Sequence, residues 1–121
     1  MIKELIVGLI SFIFLDFIFL GFFARKLYKK ELGKLMKKRI NYGLSFLIYA
    51  LLSLGIFYFV LWERNILEIF LRGCVFGLIV YGIYDLTNYV TLVGYSLKIT
   101  LIDILWGFSV CGITSVIVFL I

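Results

Sequence analysis

The sequence predicts an all-α, polytopic membrane protein: a bundle of four transmembrane helices with a basic cytoplasmic loop between helices 1 and 2. Three observations point there. Of 121 residues, 64% are hydrophobic and 16% are charged, where a soluble domain carries about a quarter charged residues. The mean hydropathy is +1.18. Apolar runs of about twenty residues, the length that crosses a bilayer, recur along the chain. Proline is absent, and the period-2 alternation of a barrel strand is missing.

The first helix is expected over about 2–24. Its apolar run is too long for a signal-peptide core, carries Asp16, and ends in a basic stretch without a small-residue cleavage site, so it reads as a span. The second helix is expected over about 41–62, the third over 66–89 and the fourth over 97–120. Glu68 and Arg72 fall inside the third, spaced i,i+4 near one end, where they can pair or snorkel to the interface. Nothing outside these spans is long enough for a second unit, so residues 1–121 read as one transmembrane domain.

Lys and Arg counts in short loops set orientation. Eight of the twelve basic residues lie in the loop at 25–40: Arg25, Lys26, Lys29, Lys30, Lys34, Lys37, Lys38 and Arg39. Lys3, Arg64 and Arg72 mark the other side. By the positive-inside rule the loop is expected in the cytoplasm, both termini opposite, and the turn beside Lys98 cytoplasmic. Within the loop Tyr28, Leu32, Leu35, Met36 and Ile40 recur at helical spacing with lysines on the other faces. Such a segment can lie among headgroups and attract anionic lipid, at about 1 kcal/mol per basic residue near the surface. The bland alternative is that these charges only set topology.

Histidine is absent, which removes the commonest metal ligand and general base. Cys74 and Cys111 lack CxxC spacing and read as small packing residues. No phosphate loop, nucleophile elbow or HExxH pattern occurs. We therefore expect no catalytic residue, metal or cofactor, and no nucleic-acid partner. A lipid-acting enzyme ranks third among the functional readings.

Three aspartates remain. On the expected topology Asp16 lies about 13 Å, Asp85 about 9 Å and Asp103 about 8 Å below the cytoplasmic surface, at 1.5 Å per residue. An aspartate at the midplane costs roughly 2.5–3.5 kcal/mol to insert, against a return of about 0.3–0.6 for each Leu, Ile, Phe or Val. The three are therefore expected to face one another or a wet cavity. Gly77, Tyr81, Tyr84, Asp85 and Asn88 form one helical stripe, and Asp103, Trp106, Gly107, Val110 and Thr114 another. The candidate polar pocket is thus Asp16, Tyr84, Asp85, Asn88, Asp103 and Trp106. No Lys or Arg shares that layer on the helices, so the pocket must hold protons, bind a cation or borrow charge from the loop. A structural alternative stands beside it. Thr100-x-x-Asp103 has capping-box spacing, Asn88 suits a helix C-cap, and Asp16 could bond Tyr84 or Asn88 as interhelical glue.

The stretches FLDFIFLGFFARKLY, GLIVYGIYDLTNYVTL and LIDILWG also carry a resemblance. They are similar to the membrane proteins grouped as domain-of-unknown-function family 2177, nearly end to end. The matching positions are Asp16, Tyr84, Asp85, Thr87, Asn88, Asp103, Trp106 and Gly107. The resemblance implies four membrane helices and brings no established activity. The turn VGYSLK lacks the Trp-Pro that members often carry there.

Two functional readings follow. The leading one is a membrane-embedded binding or transport protein whose carboxylate pocket takes a proton, a cation or a lipid-like head group. The alternative is a non-catalytic assembly or partner subunit whose polar cluster is structural. Its surroundings would be the bilayer, with anionic lipid near the loop. Four helices are too few to surround a wide pore, so a homo-oligomer or membrane partner is expected, with Gly73 and Gly77 as a packing face.

Overall fold

The computed structural model describes residues 1–35, 41–62 and 65–121. Among these, every regular element is helical. Helix α1 is Ile2–Ile18, followed without a break by a π-helical segment, Phe19–Ala24, and by α2, Arg25–Leu32. Then come α3 (Tyr42–Phe59), α4 (Ile66–Thr91) and α5 (Leu97–Leu120). Four helical stretches are long and apolar enough to cross a membrane: Ile2–Leu32, Tyr42–Phe59, Ile66–Thr91 and Leu97–Leu120. At 1.5 Å per residue α3 is about 27 Å long and α4 about 39 Å, against a hydrocarbon core of about 30 Å.

The first helix differs from expectation. The change from Phe-Phe-Ala to Arg-Lys at residue 25 reads as the end of a span, yet the helix runs on to Leu32. Polarity changes there but helix propensity does not: Arg, Lys, Leu and Glu are all good helix formers. The π segment lets one helix turn from an apolar to a basic surface. Lys37, Lys38 and Arg39 of the expected basic loop, the apolar positions Met36 and Ile40, and Arg64 lie outside the described residues.

The other helices begin on side-chain caps. The Asn41 side chain accepts from Leu44 N–H at 3.1 Å, Asn65 from Leu67 N–H at 2.8 Å, and Ser96 from Ile99 N–H at 3.3 Å. Gly94, at φ +82°, turns the chain between α4 and α5 in a conformation that suits glycine.

Packing is antiparallel throughout. Along α4 and α5, Gly73 meets Ser115, Gly77 meets Cys111 and Gly107, and Tyr81 meets Gly107. Along α1 and α3, Ser53 Oγ donates to Leu5 O at 2.8 Å, while Tyr49 lies level with Asp16. Helix α1 also lies against α5, through Gly8 beside Val118 and Asp16 beside Trp106. The core is Phe12, Leu52, Ile56, Val60, Ile69, Val110 and Cys111. Both cysteines are buried and unlinked at the α4–α5 seam. Helices α3 and α4 touch sparsely; Phe76 closes on Gly55, and beyond it, toward α2, they part.

Candidate functional site

The end of the bundle that carries α2 gathers the three aspartates, and each accepts a hydrogen bond from an aromatic side chain of another element. Asp16 of α1 accepts from the Tyr49 hydroxyl of α3 and from Trp106 Nε1 of α5, the latter at 2.6 Å. Asp103 of α5 accepts from the Tyr28 hydroxyl of α2 at 2.7 Å. Asp85 of α4 accepts from the Tyr95 hydroxyl of the α4–α5 turn at 2.9 Å. Burial raises the Tyr95 phenol above its ordinary pKa, so it serves as a neutral donor.

Phe19 ties two of these groups together. Its ring stacks on Trp106, centroids 4.2 Å apart, and meets the edge of Tyr28 at 6.2 Å. The π segment thus presents one aromatic ring to the donors of both Asp16 and Asp103. Aromatic pairs of this kind contribute about 0.5–1.5 kcal/mol beyond area burial.

The carboxylates do not share one environment. Asp16 and Asp103 line a cleft of about 390 Å³ between α3 and α4, together with Ser45, Ile48, Tyr49, Leu52, Val80, Tyr81 and Tyr84. A second cleft, about 370 Å³, lies toward α2 and is lined by Tyr28, Leu32, Leu35, Tyr84, Asn88, Leu92, Tyr95 and Asp103. Asp103 and Tyr84 belong to both walls. Asp85 belongs to neither; it is 0% exposed.

The six pocket residues expected from the sequence all lie at this end. Trp106 orients Asp16, and Asn88 lines the second cleft. Tyr84 lines both clefts but is 60% exposed, a wall residue and not a buried donor. The capping alternatives do not describe this chain. Ser96 caps α5, leaving Asp103 two turns inside; α4 ends at Thr91 with Leu92 as its C-cap, whose N–H bonds back to the Asn88 carbonyl. Tyr84 and Asn88 are not the partners of Asp16. Gly73 and Gly77, expected as an outward packing face, are consumed against α5 within the chain.

The sequence does not show Tyr28, Tyr49 and Tyr95 as donors to the aspartates; Tyr28 reads there only as part of the apolar face of the basic loop. Of the loop residues, Arg25, Lys26, Lys29 and Lys30 stand on the outer surface of α2 and Lys34 just beyond it. Among the described residues none of them forms an ion pair with Asp16, Asp85 or Asp103. Glu68 and Arg72 do pair, at 3.8 Å, on the outer surface of α4.

The family model described as "Predicted membrane protein (DUF2177)" matches residues 1–120. No curated protein and no solved structure matches. Four apolar helices and this match make the chain a multi-pass integral membrane protein.

Proposed function

The chain belongs to the DUF2177 family of predicted membrane proteins, and we propose that it binds the polar head of a membrane amphiphile at its aspartates as the binding step of a transport role. One observation carries this reading. The cleft between α3 and α4 is apolar along Ile48, Leu52 and Val80, carries Asp16 and Asp103 in its lining, and meets a second cleft at Asp103 and Tyr84. An acyl chain suits the lining along Ile48, Leu52 and Val80, and a head group suits the Asp16 and Asp103 end of that cleft, where the second begins. Two acceptor carboxylates that, among the described residues, have no Lys or Arg partner favour a cationic or hydrogen-bond-donating head over an anionic one. In this reading α2 lies on the cytoplasmic side, and its lysines hold the mouth of the second cleft at the headgroup level.

The test uses Trp106 as reporter, in a Trp62→Phe background reconstituted in nanodiscs. A spin-labelled long-chain alkylamine should quench Trp106 saturably, and a spin-labelled fatty acid should not. Ser45→Phe, which fills the cleft, should weaken the amine about tenfold, on the order of 1.4 kcal/mol. Equal quenching by both probes would overturn the reading in favour of a partner subunit with a structural polar cluster.

A further inference from the structure

Along the antiparallel α4–α5 seam Gly73 faces Ser115, Gly77 faces Cys111 and Tyr81 faces Gly107, and the next pair in that register is Asp85 and Asp103. Asp85 Oδ1 has the Tyr95 hydroxyl, but Oδ2 is buried and has no hydrogen-bond partner. A buried carboxylate oxygen without a donor leaves a desolvation penalty of several kcal/mol uncompensated. Two ionised carboxylates at facing positions would add mutual repulsion. A single proton removes both difficulties, because one carboxylic acid then donates to the other carboxylate.

We propose that Asp85 and Asp103 share one proton, forming an intramembrane proton site with Asp85 as its closed side and Asp103 as its exchange side. The surroundings fit a proton better than a metal ion. Among the described residues, no group of three or more acidic or cysteine side chains is arranged to hold a metal. Among the described residues, the titratable groups around the pair are neutral donors or a further acid: Tyr28 from α2, Tyr49 from α3, Tyr95 from the turn, Tyr81 and Tyr84 from α4, and Asp16 across the cleft from α1. Asp103 lines both clefts whereas Asp85 lines neither, so the proton enters and leaves through Asp103. On release the O–H bond breaks, its electron pair stays on the carboxylate, and the proton passes to water at the α2-end cleft. The link to transport rests on the reading above, since a cationic head seated at Asp103 would expel this proton, one for one. The proton itself does not depend on that reading.

Infrared spectra of protein carrying ¹³C-carboxyl aspartate, with and without deuterium exchange, test the site directly. At neutral pH the folded protein should show the C=O stretch of a protonated aspartic acid, shifted by both labels. Asp85→Asn and Asp103→Asn should each abolish it, and Asp16→Asn should leave it in place. Tyr95→Phe, a milder change, should shift the band, while Tyr49→Phe, at Asp16, should not. No protonated-aspartate band, or a band that follows Asp16 and Tyr49, would overturn the proposal. Because the readout needs no amphiphile, a failed quenching experiment and a failed proton assignment remain distinguishable.

Discussion

The seam between α4 and α5 and the gap between α3 and α4 use one helix in opposite ways. Along the seam, Gly73, Gly77, Gly107 and Gly112 bring two backbones together over Cys74, Cys111 and Ser115, with no room for added atoms. In the gap α4 offers Val80, Tyr81 and Tyr84 to a helix that stands away from it. In lipid, helices gain little from hiding apolar surface and associate through close packing and hydrogen bonds. Where small residues allow contact the bundle is therefore sealed. Where bulky or polar residues prevent it, a cleft stays open, and Asp16 and Asp103 line it. The difference teaches that openness in this fold is local and set by side-chain size.

The largest effect should come from breaking the seam. A Cβ at Gly77 would run into the Gly107 carbonyl, which is backbone and cannot rotate away. Gly77→Ala should destabilise by about 3 kcal/mol, the upper part of the range for overpacking. Thermal unfolding in detergent, followed by near-ultraviolet circular dichroism, measures it. An unchanged midpoint would mean that α4 and α5 are not in backbone contact.

The next effect should come from the polar end. Asp16→Leu removes the acceptor of both Tyr49 and Trp106 and strands two half-buried donors, at about 1–3 kcal/mol for each that cannot find water. Asp16→Asn keeps an acceptor and should lose less than half as much. Comparing the two melts separates hydrogen bonding from charge. Equal losses would assign Asp16 an electrostatic role instead.

This contrast also marks what the chain discloses before it folds. Four spans and three aspartates at one end were legible because both depend on counting along an apolar run. The Gly77-Tyr81-Asp85 and Asp103-Gly107-Val110 stripes were legible too, since helical periodicity puts them on one face. The donors were not. Tyr49 sits in an apolar run and looks like any lipid-facing aromatic. Tyr28 and Tyr95 lie outside the expected spans, and no periodicity says that they reach back to Asp103 and Asp85. The uninterrupted helix through residue 25 had a signal: no glycine occurs between Gly21 and Gly33 and no proline anywhere. Charge marks a surface without ending a helix, and propensity carries the helix through.

The smallest effect sharpens the comparison most. Gly82 lies on the same helix as Gly77, five positions on, and an added Cβ there meets nothing within 4 Å. Both glycines carry the same intrinsic penalty in a helix interior, about 1 kcal/mol relative to alanine. Gly82→Ala should thus be neutral or stabilising by up to about 1 kcal/mol, while Gly77→Ala moves the other way. Opposite signs on one helix cannot come from backbone preference, which is shared; they would isolate close approach to α5 as the cause. The paired melts decide it. If Gly82→Ala destabilises as much as Gly77→Ala, the glycines of α4 serve its flexibility, and the sealed seam and open gap are not set by side-chain size.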